Sequence, residues 1–348
     1  MTEPNDQRRY PARIISLPAE LEHAIEQQLV GVAPQRWQQA ARRLSERYRA
    51  ERDDYERPLA AGRTDALGYA ALVLPATYAQ IWGAMAAAAA RVPAWNPMTM
   101  LDMGSGPGTA IWAAAEHWPS LQSAVAQEYE SAFITLGRDL ARRAAAPLLR
   151  DIRWEAADIR AVPDGRPRRF DLVVIGHVLN EIEPEEQAAV VAAAWRMTAG
   201  MLLLIEPGTP QGFALVRTAR DALLEEAAQT IAPCAHDQPC PLADDWCHFP
   251  QRIARPEFQR RARAAPSPWE EGKFAYAAMA RFAAEQPIWA RAIREPEWNK
   301  AYATIKLSTH NGEIVRHRAL KRHRAAFRHV KDLPWGIALE APLATEDE

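Results

Sequence analysis

An α/β fold built on a parallel sheet is predicted by three features of this sequence. From about residue 98, apolar strand-like runs alternate with helical segments. Those segments run to about ten residues or more, the length that returns a chain to begin a parallel neighbour. A glycine-rich turn follows the first of these strands and opens the first of these helices. A chain of 348 residues, 48% apolar and 25% charged, can bury a large core as one large domain plus an accessory region, or as two domains.

Residues 1 to about 95 are predicted helical. "ELEHAIEQQL" and "WQQAARRLSERYRAERDDY" have helical periodicity, and "DALGYAALVLPATYAQIWGAMAAAAA" continues it around a break at Pro75. Strand "MTMLDM" then leads through the glycine turn into helix "AIWAAAEHW". "SAVAQE" precedes helix "SAFITLGRDLARRAA", "DIRWEAAD" is a third strand, and "FDLVVIGHV" is a strongly apolar fourth. Helix "PEEQAAVVAAAWRMT" connects to "GMLLLIEPG", the fifth. Strands separated by helices in this way place helices on both faces of the sheet. The division that follows is an N-terminal helical region, 1–95, a Rossmann-like domain, 96–230, and a C-terminal extension, 231–348.

The motif with the most chemistry is "LDMGSGPGTA". Asp102, Gly104, Gly106 and Gly108 give D-x-G-x-G-x-G, which allows a tight turn and close backbone approach of a ligand. A dinucleotide fingerprint needs glycine where Thr109 stands, so a nicotinamide cofactor fits less well. Asp102 suits a cationic or hydroxyl-bearing ligand better than a pyrophosphate. S-adenosylmethionine offers an α-amino group and a sulfonium. Glu128 ends the second strand, where a carboxylate takes both ribose hydroxyls. Asp158 closes the loop of the third strand, where an acid accepts from the adenine amino group. Each acid read alone is a solvated loop carboxylate. In register with the glycine turn, the three specify a class I methyltransferase-type fold that binds S-adenosylmethionine.

Cys234, Cys240 and Cys247 are the only cysteines, and all lie in "APCAHDQPCPLADDWCHF". The spacing C-x5-C-x6-C is wider than that of zinc knuckles and suits an extended loop around a cluster. Zinc held by three cysteines and one of His236, His248 or His310 is the rival, and simple packing of small buried thiols is the plainest reading. The loop is polar and proline-rich rather than a core stripe, which favours a metal.

Five stretches, "YAALVLPATYA", "LDMGSGPGTAIWAA", "FDLVVIGHVLNEI", "LLLIEPGTPQGF" and the cysteine loop, resemble the methyltransferase-like proteins of the small ribosomal subunit. These occur in bacteria and mitochondria as subunit components or assembly factors. The resemblance runs from about residue 64 to about 335. It implies an iron–sulfur cluster, of the [4Fe-4S] type, on four cysteines. Three match Cys234, Cys240 and Cys247, while the fourth falls on Ser308 in "ATIKLSTHNGE", a departure from the family's pattern.

Residues 252 to 331 hold 18 Lys/Arg against 7 Asp/Glu, while the whole chain has a formal charge of −2. A basic segment on an acidic protein suggests a polyanion partner, and a solvated helical face is the alternative. "FPQRIARPEFQRRARAAPSPW" places five arginines past the cysteine loop. Beyond it a hairpin with a two-residue turn at Asn311-Gly312 is predicted, then a helix carrying Lys321, Arg322, Arg324, Arg328 and Lys331. Trp298, Tyr302 and Phe327 lie among these cations, where they can stack bases, although core packing fits Phe327 better. The expected partner is small-subunit rRNA on the small ribosomal subunit.

His177 and Glu181, after the fourth strand, are candidate general bases, with Asn180 beside them. Capping of the next turn is the plainer role for Asn180 and Glu181. No N/D-P-P-Y/F motif is present and no cysteine lies near this strand. The reading therefore divides between an rRNA methyltransferase and an assembly factor, the alternative being a small-molecule or protein methyltransferase. The start, "MTEPNDQRRYPARIISLPAE", shows no secretory signal, and an odd cysteine count points to a reducing compartment. A cytoplasmic protein is expected, away from membranes and monomeric off the ribosome.

Overall fold

The computed structural model describes residues 13–47, 60–161, 167–263 and 267–344, so part of the second predicted helix lies outside the described residues. Strand β1 (Ile14–Ile15) and helices α1 (Ala19–Leu29), α2 (Pro34–Arg47), α3 (Arg63–Leu72) and α4 (Leu74–Ala89) come first. α3 and α4 meet at 55° around Val73. Pro75 then sits in the first turn of α4, where its missing N–H leaves no helical bond unmade.

The alternating part follows in the predicted order. It comprises β2 (Thr99–Met103), α5 (Thr109–His117), β3 (Ser123–Glu128), α6 (Ser131–Ala141), the short α7 (Pro147–Arg150) and β4 (Arg153–Ala156). Next come β5 (Phe170–Gly176), α8 (Pro184–Met197), β6 (Thr198–Pro207), α9 (Pro210–Glu225) and β7 (Gln229–Ala232). Prolines start α8 and α9, and the Thr209 hydroxyl caps α9 by accepting from Gly212 N–H at 3.1 Å. β8 (Phe249–Ala254), α10 (Glu257–Arg263) and β9 (Trp269–Ala280) complete the larger sheet.

Its strands run β1-β8-β9-β6-β5-β2-β3-β4, with β7 also on β9. β4, β3, β2, β5 and β6 are mutually parallel, and β9 is antiparallel to β6, β7 and β8. This is the class I methyltransferase order, with the chain reversing its march across the sheet between β2 and β5. Ligands of such sheets bind beyond the carboxyl ends of the strands at that switch.

Cross-strand register explains the two-sided core. Val125, Leu101, Val173, Leu202 and Met279 form one row and pack on the face covered by α8 and α9. The next row, Ala126, Asp102, Val174, Leu203 and Ala278, points to the face covered by α3, α4, α5 and α6. Asp102 is the one polar member of that row. Period-two alternation thus places a carboxylate where apolar side chains flank it on both sides.

A second sheet is formed by β10 (Ala290–Ala292), β11 (Glu297–Trp298), β12 (Tyr302–Thr309), β13 (Ile314–Leu320) and β14 (Ala338–Leu339), with α11 (Arg324–Lys331) packed on it. The hairpin differs from the predicted one. Four residues, 310 to 313, separate β12 from β13, and the turn closes with Thr309 N–H donating to Glu313 O at 3.0 Å. Asn311 Nδ2 donates to Glu313 Oε2 at 2.9 Å, so side-chain bonding favours the wider turn. α11 begins at Arg324, which leaves Lys321 and Arg322 in the connection before it.

Candidate functional site

The turn after β2 is built from left-handed backbone, with φ of +68° at Gly104, +54° at Gly106 and +84° at Gly108. A Cβ is strained at such angles. At Gly104 it would also stand 2.6 Å from Val178 Cγ2, so the turn packs hard against the segment after β5. At Gly106 only the Tyr69 hydroxyl comes within 4 Å, at 3.9 Å, and this glycine faces open space. Gly106 N–H donates to Glu128 Oε2 at 2.7 Å, and Glu130 N–H donates to Glu128 Oε1 at 2.8 Å.

Around that space are acids with no counter-charge among the described residues. Asp102 is 2% exposed and its Oδ2 has no partner. Burial first, then the Glu128 charge, push its carboxyl up to about 8. Burial raises Glu128 to about 6, against the two N–H bonds that favour its charged form. At the end of β6, fully buried Glu206 accepts Leu179 N–H at 2.8 Å, while its Oε2 is unpartnered. Burial, opposed by that bond and reinforced by Glu181, pushes Glu206 up to about 8. Tyr69, from α3, faces the same group: burial raises its phenol, and the charges of Glu181, Glu128 and Asp102 raise it further. The charges acting on Asp102, Glu128 and Glu206 are those of other carboxylates. Buried acids with carboxyls this high, Asp102 and Glu206 above all, favour the protonated form until a cation takes the proton's place.

The fold therefore brings Asp102 and Glu128 together. Asp158 is engaged otherwise. It accepts from Arg160 N–H at 2.9 Å, from Nε at 3.0 Å and from Nη2 at 2.6 Å, and these side-chain bonds hold its carboxyl below the usual range. His177 has a left-handed φ of +60° and donates its backbone N–H to Ile205 O at 2.7 Å. Burial pushes its imidazole down to about 4, so the ring is neutral near pH 7, with Nε2 unpartnered. Asn180 and Glu181 lie in the 3₁₀ turn Leu179–Glu181, which the Glu206 carboxylate anchors. Sequence reasoning missed Tyr69 and Glu206. The signal for Glu206 was a lone acid closing an apolar strand, the pattern that singles out Asp102. Tyr69 opens the stretch "YAALVLPATYA", but a tyrosine in a helical run reads as core.

The cysteine loop separates β7 from β8, two strands that lie along the same edge of β9. It folds back on the second sheet. Asp245 accepts from Lys306 Nζ at 2.6 Å and pairs with Arg294, which also donates to Trp246 O. Cys234, Cys240, Cys247 and Ser308 line one cleft of about 590 Å³, counting space open to solvent, together with Arg220, Tyr276 and Arg291. Burial raises the Cys234 and Cys247 thiols, and Arg291 opposes it at both. Among the described residues, no group of three or more His, Cys, Asp or Glu side chains converges tightly enough for a single metal ion. His236 and His248 are buried but do not line the cleft, which weighs against zinc. His248 stacks on Trp246, with ring centroids 5.4 Å apart.

Basic residues divide into two groups. Those just past the cysteine loop are paired: Arg252 with Glu271 at 3.0 Å, Arg255 with Glu270 at 3.8 Å, and Arg260 and Arg261 with Glu257. On β13 and α11, Arg316, Arg318, Arg324 and Arg328 are exposed along one continuous segment. Tyr302 and Trp298 already carry cations over their rings, Arg318 at 4.4 Å and Lys331 at 5.0 Å. That edge therefore presents charge in place of open aromatic faces.

The profile of the family described as "Mitochondrial small ribosomal subunit Rsm22" matches residues 63–340. The chain belongs to the Rsm22 family. The Rsm22 match starts at α3, which supplies Tyr69, and takes in the acid group, the cysteine cleft and the basic hairpin. "Ribosome assembly protein METTL17, mitochondrial" of Homo sapiens is 28% identical over 292 residues, which are 78% of this chain and 62% of that protein. "Rsm22-cox11 tandem protein 2, mitochondrial" of Schizosaccharomyces pombe is 26% identical over 180 residues, 46% of this chain and 24% of that protein. Among solved structures, magnesium protoporphyrin IX methyltransferase from Synechocystis PCC 6803 with bound SAM is similar at TM-score 0.40 and 11% identity, over 75% of this chain and 97% of that one. These names overturn the cytoplasmic expectation: the family and the matched relatives are mitochondrial by name. An odd cysteine count reports a reducing environment, which does not distinguish one such compartment from another.

Proposed function

We propose that this Rsm22-family protein binds S-adenosylmethionine at the Gly104–Gly108 turn and works in small-subunit assembly by binding small-subunit rRNA through β13 and α11. The observation that carries the cofactor reading is the buried acid group of Asp102, Glu128 and Glu206, to which the described charged neighbours add only negative charge. The α-amino group and sulfonium of S-adenosylmethionine supply the missing cations. Glu128 is held to the Gly106 amide and is placed to take the ribose hydroxyls once a ligand opens that contact. Open space at Gly106 admits the ligand against the backbone. The neutral His177 ring and the anchored 179–181 turn border the position where a methyl acceptor would lie. An assembly role needs these residues to bind and hold rather than to move a proton.

The cysteine cleft fits an iron–sulfur cluster better than a single ion, because its thiols line a space instead of meeting at a point. Cys234, Cys240 and Cys247 would hold it, with the Ser308 hydroxyl as an oxygen ligand from β12. A bound cluster would tie the cysteine loop to the sheet that carries the basic hairpin.

Co-sedimentation with small-subunit precursor particles, with and without S-adenosylmethionine, tests the reading. Cofactor-dependent co-sedimentation that weakens with salt is the expected result. Methylation of a small molecule or free protein, with no particle binding at low salt, would replace it with the alternative enzyme reading.

A further inference from the structure

Two buried arginines line the cysteine cleft, Arg220 at 3% exposed and Arg291 at 4%, and a third, Arg91 at 6%, lies outside the lining but acts on its residues Arg291 and Tyr276. Burying a guanidinium costs several kcal/mol unless an anion faces it. Arg220 donates from Nη2 to the carbonyls of His236 at 2.9 Å and Gln238 at 3.0 Å. Its one carboxylate, Asp221 at 3.1 Å, is 47% exposed and largely hydrated. Arg291 bonds the carbonyls of Pro233 and Gly336, the latter at 2.8 Å. Arg91, at the end of α4, has neither Nε nor Nη1 partnered. It shares Tyr276, a lining residue of the cleft, with Arg291 and with Cys234 and Cys247. Carbonyl dipoles satisfy donors, but they do not neutralise charge. Neutral thiols would leave the cations uncompensated, whereas a cluster held on three thiolates carries net negative charge and would offset part of theirs.

We propose that Arg91, Arg220 and Arg291 form a cation cradle that makes the cysteine cleft a site for a net-anionic thiolate cofactor, holding it by charge as well as by ligation. The proposal rests on the cluster reading above and assigns roles to residues that ligate nothing. Arg220 and Arg291 also tie down the first part of the cysteine loop, at 233, 236 and 238, so they couple loop geometry to the charge of the occupant. Arg91 makes no such tie through its buried, unpartnered nitrogens. Its removal therefore isolates the effect of charge, and a methionine of similar length suits its apolar surroundings.

The test uses the full chain, reconstituted anaerobically with ferrous iron and sulfide. Three readouts follow: iron per chain, loss of the visible bands to a chelator, and the midpoint potential. Arg91→Met is expected to melt no lower than the unmodified apoprotein, because it removes a buried uncompensated cation, to lose iron to chelator about tenfold faster, and to shift the midpoint to a more negative value, since a cation favours the reduced, more anionic state. Arg220→Lys, which keeps charge and loses the planar fork, should retain the potential, while Arg220→Met should not. If the unmodified chain takes up no iron, the cluster reading falls and this proposal with it. If it does take up iron and Arg91→Met and Arg220→Met match it in retention and potential, the cluster reading stands and the cradle is overturned.

Discussion

Asp102 is buried because strand register sets it between Ala126 and Val174, and on the proposed S-adenosylmethionine reading its protonation would control ligand binding. Its carboxyl lies at about 8 and that of Glu128 at about 6, both above their ordinary values of 3.8 and 4.5. A cationic ligand must displace those protons. Affinity for S-adenosylmethionine is therefore expected to rise as pH climbs through that window, by up to about tenfold per pH unit for each proton displaced, as titration calorimetry can show. The sign for stability is opposite. Raised carboxyls bind more protons folded than unfolded, so their contribution to the free protein is full below the ordinary values and is lost as pH rises through the folded ones. Thermal melts of ligand-free protein should fall over the range in which affinity grows. Gly106→Asp adds a like charge to the acid group and fills the open space, but its Cβ meets only the Tyr69 hydroxyl at 3.9 Å. It should abolish cofactor binding while leaving the circular dichroism of the sheet intact. Gly104→Ala differs, because its Cβ would collide with Val178, and it should destabilise the fold by about 1–3 kcal/mol. Undiminished affinity in Gly106→Asp would remove the pocket assignment.

Elements were legible wherever a period and a breaker coincided. β2 to β6 and their helices follow from apolar runs bounded by glycine and proline. The split edge strand β7/β8 was not legible, because its two halves are joined by a loop and only pairing with β9 aligns them. The two- and three-residue strands β10, β11 and β14 are too short to carry a period, and they exist through their antiparallel partners. Glu206 was marked as a lone acid closing an apolar run, but its full burial also depends on β9 pairing with β6, a contact between distant parts of the chain. Ser308 shows what register adds to spacing. It pairs across the sheet with Arg291 on one side and Ile314 on the other, and so stands in the cleft beside the cysteine loop. A thiolate at this position should protect a cluster better than an oxygen ligand does. Ser308→Cys is expected to raise iron per chain and to slow bleaching in air, read from the visible absorption. Cys240→Ser should lose the iron and speed amide exchange in β12 and β13, because the cysteine loop is then tied to their sheet only by polar contacts such as Asp245 to Lys306 and Arg294. Equal iron in Ser308→Cys and the unmodified chain would show that Ser308 is not at the fourth corner.

Across the whole molecule, charge is sorted by the fold in a way the sequence count did not resolve. The basic excess of residues 252–331 is partly consumed internally: Arg252, Arg255, Arg260 and Arg261 meet glutamates, and Arg281 donates to the carbonyls of Thr198 and Trp195. What remains exposed is concentrated on β13 and α11, one edge of the second sheet and the helix packed against it. Asp102, Glu128 and Glu206 lie at or near the carboxyl ends of β2, β3 and β6. On the proposed reading, RNA meets the second sheet and S-adenosylmethionine the larger one, so the two would occupy the chain together. Binding of small-subunit rRNA should weaken with salt, each phosphate contact adding about 0.7 to the slope of log affinity against log salt for single strands. Replacing Arg316, Arg324 and Arg328 with glutamine should flatten that slope by up to about 2, whereas replacing Arg260 and Arg261, already paired with Glu257, should leave it nearly unchanged. Filter binding across a salt series distinguishes the two sets. Equal losses from both would mean that the RNA follows net charge rather than the β13–α11 face.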